Sequence, residues 1–286
     1  MDRRGFLKLA ALTPVALAGG AAEASGDGAP SGGDPEEFVG MLVDSTRCIG
    51  CQACEVACAE ENKLPYPDLS ELRPGERPAT PTLYTPVSRF ETSKGRVYVK
   101  KACNHCNQPA CASACLSKAM EKTVWGPVIW HEDRCLGCRY CMIACPFDVP
   151  KFEFDEPIPK IAKCTFCPER LRAGRPTACA EACPQGAIAF GSRRQLLAEA
   201  RRRIATEPGR YEQTVYGDHD VGGTCVMYLA GAPFAELGFK TDLGTRPYPE
   251  YTREFLYAVP IIDVVLPVLL FGVNRAIKAD EEGGEP

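Results

Sequence analysis

Residues 135–146 read CLGCRYCMIACP, four cysteines at the spacing C-x2-C-x2-C-x3-C followed by a proline. An earlier stretch, residues 48–58, reads CIGCQACEVAC and repeats that spacing. Three closely spaced thiolates can wrap one 4Fe-4S cube while the fourth reaches a second cluster. Zinc sites usually take their ligands as two separated pairs, which leaves the extra closely spaced cysteine without a role. Both runs therefore predict iron–sulfur clusters.

Two further cysteine quartets keep part of this pattern. Residues 103–115 read CNHCNQPACASAC, and residues 164–183 read CTFCPERLRAGRPTACAEAC. Each begins with C-x2-C and ends with C-x3-C, and only the gap between the two halves is longer. Either quartet alone is compatible with a zinc site of four thiolates, but beside the two regular runs both predict clusters. The sixteen candidate iron ligands, enough for four 4Fe-4S clusters, are Cys48, Cys51, Cys54, Cys58, Cys103, Cys106, Cys111, Cys115, Cys135, Cys138, Cys141, Cys145, Cys164, Cys167, Cys179 and Cys183.

A disulfide framework is the main alternative for a chain with 17 Cys among 286 residues. Disulfide-rich domains are usually small and secreted, and their cysteines are spread at loop spacings. The tight quartets lack that spacing and favour metal ligation. The one remaining cysteine, Cys225, lies in the apolar sequence VGGTCVMY and is expected to be a small buried hydrophobic residue.

Composition and missing motifs exclude several classes of function. The net charge of -4 gives no basic face for nucleic acid. No C-x-x-C pair is followed by His, so no c-type haem site is present, and 3 His are too few for several haem ligand pairs. Neither a G-x-G-x-x-G fingerprint nor a P-loop appears. We therefore expect an electron carrier that is not an enzyme, with the catalytic centre on a partner.

Strand and turn signals flank the quartets. Residues 124–130 read VWGPVIW and predict a hairpin, and the sequence PQGAIAFG after Cys183 predicts a turn and a short strand. The last cysteine of a quartet is expected to open a short helix, with Pro146 or Pro184 in its first turn. These signals predict an α+β fold of duplicated bacterial ferredoxin-like 4Fe-4S domains. The four-cluster domain is expected over 41–205, with a loop-rich, proline-rich insertion at 60–101 and an extension at 206–254.

Two smaller features leave alternatives open. His105 lies inside the second quartet, where it either hydrogen-bonds near a cluster or packs at the surface. Arginines between residues 193 and 203 flank Leu196, Leu197 and Ile204 at helical spacing. This pattern predicts an amphipathic helix whose charged face is either solvated or docks a partner.

The N-terminus predicts an export signal. Arg3 and Arg4 precede a Phe-Leu-Lys sequence, an apolar stretch and an A-x-A-like cleavage site that ends at Ala24. This order is typical of a twin-arginine signal peptide over 1–24, and a linker would follow over 25–40. The alternative is a cytosolic amphipathic helix. The twin-arginine route suits a protein that must receive its clusters before export.

The C-terminus predicts a membrane anchor over 255–274. Nineteen residues from Phe255 to Val273 contain one charge, Asp263, and as a helix they would be about 28 Å long. Arg275 and Lys278 suit a cytoplasmic tail over 275–286. Because Asp263 is costly in lipid, an apolar segment that docks on a partner is the alternative.

The chain resembles the four-cluster iron–sulfur subunits of respiratory complexes, in particular those of membrane-bound periplasmic nickel–iron hydrogenases and of formate dehydrogenases. The resemblance covers nearly the whole chain. It includes the twin-arginine start, the membrane tail and the sequences GMLVDSTRCIGCQACEVAC, CRYCMIACPFDVPKF, ACPQGAIAFGSRRQLLAEA and GGTCVMYL.

The resemblance implies that the first quartet shares ligands with the fourth and the second with the third. The implied ligand sets are Cys48, Cys51, Cys54 and Cys183; Cys58, Cys164, Cys167 and Cys179; Cys103, Cys106, Cys111 and Cys145; and Cys115, Cys135, Cys138 and Cys141. The resemblance also implies an electron relay on the periplasmic face of the cytoplasmic membrane. It would connect an exported catalytic subunit, of hydrogenase or molybdopterin type, to a polytopic quinone-reactive subunit.

Other functions remain open from the sequence alone. The chain could be the beta subunit of another molybdopterin oxidoreductase or a stand-alone membrane-bound carrier. A self-contained reductase would require a catalytic signature, and a soluble carrier would not require the apolar tail.

Overall fold

The computed structural model describes residues 37–70 and 72–283. Its helices are α1 (Ala53–Asn62), α2 (Ala110–Ser113), α3 (Tyr140–Ala144), α4 (Pro168–Arg172), α5 (Ala178–Glu181), α6 (Arg193–Thr206) and α7 (Tyr248–Gly283). Its strands are β1 (Val39–Asp44), β2 (Val87–Thr92), β3 (Gly95–Lys100), β4 (Met120–Lys122), β5 (Val128–Trp130), β6 (Lys151–Phe152), β7 (Ile161–Ala162), β8 (Ile188–Ser192) and β9 (Val226–Leu229). This alternation of short helices and strands confirms the mixed α+β character.

A three-stranded sheet in the order β8-β1-β9 forms the centre of the core. β1 is antiparallel to β8 and parallel to β9. Its sequence, VGMLVD, is almost continuously buried, because core residues cover both of its faces. Val43 pairs with Ile188 at the end of the sheet from which the chain enters the first quartet. The first and fourth quartets therefore meet at the same end of the central sheet.

Two small hairpins join the remaining quartets in the same way. Met120 of β4 pairs with Trp130 of β5, which brings the end of the second quartet to the start of the third. Lys151 of β6 pairs with Ala162 of β7, which brings the end of the third quartet to the start of the fourth. The strand pairing thus determines which cysteines are neighbours.

The predicted hairpin at 124–130 is present with a shifted first strand. That strand is β4, Met120–Lys122, and the sequence from Thr123 to Pro127 forms the turn. Gly126 has a φ of 121°, which favours glycine, and a Cβ there would meet Phe38 at 2.8 Å.

The prediction that the last cysteine of a quartet opens a helix is wrong. α3 ends at Ala144, and Cys145 has extended backbone angles. α5 likewise ends at Glu181, before Cys183. A residue that precedes proline is disfavoured in the helical region, so the X-Pro sequences end the helices.

The two long cysteine-free regions differ in regularity. Residues 63–70 and 72–86 contain no helix or strand apart from isolated bridges, whereas the β2–β3 hairpin after them is regular. Beyond α6, β9 returns to the central sheet, so residues 226–229 share the core with β1. The amphipathic α6 is confirmed, because Leu196, Leu197 and Ile204 are buried and its first turn is capped by the Ser192 hydroxyl.

α7 is the one helix in the described part of the chain that is long and apolar enough to cross a membrane, over Tyr248–Arg275. It begins seven residues before the predicted anchor and contains Pro260 and Pro267. Its apolar side chains are exposed, and it contacts α2. The predicted signal peptide at 1–24 lies outside the described residues.

Candidate iron–sulfur centres

The first set of thiols combines three cysteines of the first quartet with the last cysteine of the fourth. One cavity is lined by Cys48, Cys51, Cys54 and Cys183. Burial raises the pKa of the Cys48 thiol to about 11, and the sulfurs of Cys183 and Cys51 add to the rise. A thiolate in this cavity therefore requires a positive ion beside it.

The second set combines the last cysteine of the first quartet with the first three of the fourth. These thiols line one cavity and are Cys58, Cys164, Cys167 and Cys179. All four are buried. The Asn62 amide donates to Cys58 Sγ at 3.5 Å. Burial raises the pKa of Cys164 to about 11 and that of Cys167 to about 12, so this site also favours thiolates only beside a cation.

The third and fourth sets combine cysteines of the second and third quartets. Burial raises the pKa of Cys106 well above its usual value, and the charges of Cys103, Cys145 and Cys111 raise it further. At the fourth set, burial raises the pKa of Cys141 to about 11, and the charges of Cys135, Cys115 and Cys138 add to the rise. The structure therefore brings together the first two implied sets of sulfurs around cavities. It also brings cysteines of the second quartet within electrostatic reach of cysteines of the third.

All four quartets open with the same turn. The third residue of each first C-x-x-C has a left-handed φ: 72° at Gly50, 48° at His105, 66° at Gly137 and 64° at Phe166. In three of these loops the N–H of that residue donates to the first sulfur of the quartet, and each bond lowers the pKa of the thiol that accepts it. Successive N–H groups in such a turn form a concave site for an anion, as a thiolate-ligated cluster requires.

The donor set fits a polynuclear cluster better than a single ion. Tetrahedral zinc draws its sulfurs to about 2.3 Å from one point. Among residues 37–70 and 72–283, no three His, Cys, Asp or Glu side chains converge on a point in that manner. At the first two sets, four sulfurs instead line a cavity, and N–H groups face them. This arrangement fits a 4Fe-4S cluster held by four thiolates.

The structure resolves the two smaller features. His105 is fully buried, its Nδ1 accepts the N–H of Val128 at 2.9 Å, and its ring packs edge-on against Phe166. It is therefore an interior residue beside the quartets and not a surface histidine. Cys225 is fully buried, as predicted, and its Sγ lies 3.6 Å from the Lys122 ammonium.

Sequence analysis missed the lysines beside the thiol sets. Lys100 and Lys163 are buried, and Lys122 is half-buried. Burial opposes the charge of Lys100, but the sulfurs of Cys179 and Cys164 outweigh it and hold its pKa above the ordinary value. The alternation of polar and apolar residues along β3 does not predict that Lys100 is buried, because Val99 and Lys100 are both buried at the end of that strand.

Comparison with known proteins places the chain among iron–sulfur proteins. Residues 95–193 match a family model described as a 4Fe-4S dicluster domain. A protein of Nitratidesulfovibrio vulgaris is 44% identical over 99% of this chain and 78% of its own length. The hydrogenase-2 operon protein HybA of Escherichia coli O157:H7 is 34% identical over 99% of this chain and 98% of its own length. The nitrate-inducible formate dehydrogenase iron-sulfur subunit of Escherichia coli K12 is 36% identical over 68% of this chain and 69% of its own length.

The chain is an iron–sulfur electron-transfer subunit of the hydrogenase and formate dehydrogenase type. The formate dehydrogenase relative is named as an iron-sulfur subunit, and this role agrees with the expectation that the catalytic centre lies on a partner. The same matches establish 4Fe-4S clusters as the cofactor class of this electron-transfer subunit.

Proposed function

We propose that this subunit holds four 4Fe-4S clusters on the sixteen predicted cysteines and relays electrons from an exported catalytic subunit to a quinone-reactive membrane subunit. When bound, each cluster accepts and releases one electron. The protein's part is to hold the clusters in a fixed order and to keep water from the inner ones. The observation that supports the proposal is that sulfurs of each thiol set interact electrostatically with sulfurs of the next set.

Charge interactions between neighbouring sets support this order. Cys54 of the first set interacts with Cys179 of the second. Cys164 of the second set interacts with Cys103 of the third. Cys111 of the third set interacts with Cys141 of the fourth. These interactions support an order in which electrons pass from the first set through the second and third to the fourth.

Exposure at the two ends of the row supports entry and exit points there. Among the sixteen cysteines, the two exposed ones are Cys51, in the first set, and Cys138, in the fourth. The second set is fully buried. Electrons would therefore pass to partners at the two ends and would be shielded from solvent in between.

Apolar surface at the fourth set supports a membrane partner at that end. Leu116, Leu136 and Ile143 lie next to its cysteines and are 83%, 75% and 82% exposed. α7 contacts α2, which carries Cys111 and ends two residues before Cys115 of the fourth set. The fourth set would then face the quinone-reactive subunit, and the first set would face the catalytic subunit, of hydrogenase or formate dehydrogenase type.

The chain ends support export and anchoring. The twin-arginine sequence at 1–24 would carry the folded protein outward, and the apolar part of α7 at 255–274 would hold it to the periplasmic face of the membrane. Asp263 would face the polytopic partner, since a charge in lipid is costly. The repeated cysteine turn supports the duplicated ferredoxin-like domain at 41–205, with its insertion at 60–101 and its extension at 206–254.

Deletion of residues 255–286 tests the relay. α7 lies outside the core, so the truncated protein should leave the membrane with its clusters in place. Electron transfer from the catalytic subunit to an artificial dye should persist, while quinone-linked activity should fall. A truncated protein that stays in the membrane with full quinone-linked activity would contradict the proposal.

A further inference from the structure

Lys100 occupies an unusual position between two of the thiol sets. It is the last residue of β3, and it is 1% exposed. It lines both the cavity of the first set and the cavity of the second. One side chain therefore reaches both sites, and its charge acts on both.

The ammonium of Lys100 lacks an ordinary counter-charge. Its Nζ lies 3.6 Å from Met41 Sδ, a weak acceptor. No carboxylate within residues 37–70 and 72–283 forms an ion pair with it. A buried ammonium without a partner is costly, because it loses its hydration without gaining an opposite charge. The groups that face it are the sulfurs of Cys179, Cys164 and Cys54, which would be thiolates when they ligate a cluster, and the phenol of Tyr228.

Lys163 repeats this arrangement one step further along the row. It is buried directly before Cys164 of the second set, and its charge reaches Cys103 and Cys111 of the third. Its Nζ donates to the carbonyl oxygens of Val128 and Cys164. It too has no carboxylate partner in the described ranges. The gap between the second and third sets therefore also contains a buried cation.

The fourth set differs from the first three in the cations beside it. The charges that act on Cys141 come from Cys135, Cys115 and Cys138. The nearest cations in sequence, Arg134 and Arg139, are both exposed, and Arg139 lies over the ring of Phe152. Solvent screens such a charge, whereas a buried charge is screened much less. In the described part of the chain, the buried lysines beside the thiol sets therefore lie next to the first three sets.

We propose that Lys100 is a charge-compensating residue shared by the first two clusters, and that Lys163 has the same role between the second and third. This inference rests on the proposed occupancy of the four sets. One-electron reduction adds a negative charge to a cluster, and a fixed ammonium nearby stabilises that charge. Lys100 itself changes neither its bonds nor its protons. Its effect is to raise the reduction potentials of the first two clusters relative to that of the fourth.

The test is Lys100→Met in the full chain, purified anaerobically and titrated potentiometrically with detection by electron paramagnetic resonance. Methionine is an unbranched side chain only one heavy atom shorter than lysine, and it removes the charge. At a fixed potential, the ratio of reduced to oxidised cluster should fall at least tenfold for two clusters, which for one electron is about 59 mV. The other two clusters should change less.

Lys101→Met is the matched control. Lys101 is the next residue, but its ammonium binds Glu76 at 2.7 Å and the Gly238 carbonyl at 2.6 Å, away from the sulfurs. This variant should leave all four potentials unchanged. Lys100→Arg, which keeps the charge, should restore potentials close to those of the wild type.

Iron content separates a charge effect from a folding defect. Unchanged potentials in a Lys100→Met protein with full iron would overturn the inference while leaving the relay intact. If Lys100→Met loses iron, Lys100→Arg should retain it; equal loss in both variants shows a packing role and overturns the inference. Lys163→Met should lower the reduction potentials of the second and third clusters. Unchanged potentials of those two clusters would contradict the proposed role of Lys163.

Discussion

The first and fourth thiol sets begin from the same sequence pattern and end in different surroundings. Both take three cysteines from a C-x2-C-x2-C run, both contain a left-handed glycine in the loop, and both have one exposed cysteine. The first set rests on the three-stranded sheet and on buried Lys100, whereas the fourth rests on a short hairpin and has an apolar, exposed rim. The cysteine motif thus specifies the ligands, and the neighbouring elements determine stability, charge and partner.

Removal of one cysteine ligand from the first set and one from the fourth should give the largest difference in thermal stability between the two regions. Cys54 packs in the main core with Met41 and Val43, whereas Cys138 is exposed. Because metal binding contributes directly to folding free energy, Cys54→Ala should abolish cooperative thermal unfolding along with the loss of cluster iron. Cys138→Ala should lose at most the iron of the fourth set and keep a cooperative transition. Calorimetry measures the unfolding transitions, and iron analysis measures the clusters that remain. Similar transitions in the two variants would contradict the proposed difference between the first and fourth sets.

Removal of a carboxylate beside the first set and one near the fourth should give the next largest difference in unfolding free energy. Glu55 follows Cys54, is buried, pairs with Arg77 at 2.5 Å and accepts the Val87 N–H at 2.6 Å. Glu55→Ala leaves those donors unpaired and should cost about 3–5 kcal/mol. Near the fourth set, the Glu121–His131 pair is partly exposed, so Glu121→Ala should cost at most about 1 kcal/mol. Denaturant unfolding of anaerobic protein measures both free energies, and a cost for Glu121→Ala equal to that for Glu55→Ala would argue against the difference in burial.

Alanine substitution of the loop glycines should give a smaller difference in unfolding free energy between the first and fourth sets. Gly50 and Gly137 occupy the same loop position with φ of 72° and 66°, so alanine should cost each loop about 1–2 kcal/mol. A Cβ on Gly50 would meet the ring of Tyr98 at 2.6 Å, whereas one on Gly137 would have Phe152 at 3.9 Å. Overpacking should therefore add about 1–3 kcal/mol to Gly50→Ala alone. The same unfolding measurement applies, and equal losses would show that Tyr98 moves aside.

Polar substitution of the apolar rims should leave stability almost unchanged. Ile143→Gln at the fourth set and Ile49→Gln at the first both alter exposed side chains, so each should change the unfolding free energy by no more than about 0.5 kcal/mol. Ile143→Gln should weaken association with the membrane subunit at least tenfold, about 1.4 kcal/mol. Ile49→Gln should instead weaken association with the catalytic subunit. Co-purification from detergent measures both, and the reverse pattern would invert the proposed orientation of the row.

The sequence predicts the parts of the molecule that are local. Cysteine spacing predicted iron–sulfur clusters, the cofactor class that the family match supports, and the ligand sets were implied only by the resemblance. Helical spacing predicted α6 with buried Leu196, Leu197 and Ile204. The expected helices after Cys145 and Cys183 were wrong, because proline ends a helix at the preceding residue in these loops.

The buried lysines could not be predicted, because their neighbours come from distant segments. Lys100 reaches Cys54, Cys164 and Cys179 only after the β2–β3 hairpin packs between the first and fourth quartets. The left-handed backbone of His105 and Phe166 was also hidden, since nothing but alignment with Gly50 and Gly137 in the other loops marks those positions.

The most direct test of the account is the iron, acid-labile sulfide and zinc content of the full chain purified without oxygen. Four 4Fe-4S clusters require about sixteen iron and about sixteen sulfide per chain, with no zinc. That result would mean that all four thiol sets, including the two with irregular spacing, hold clusters. About eight iron per chain, with zinc in place of the rest, would contradict the four-cluster row and the relay built on it.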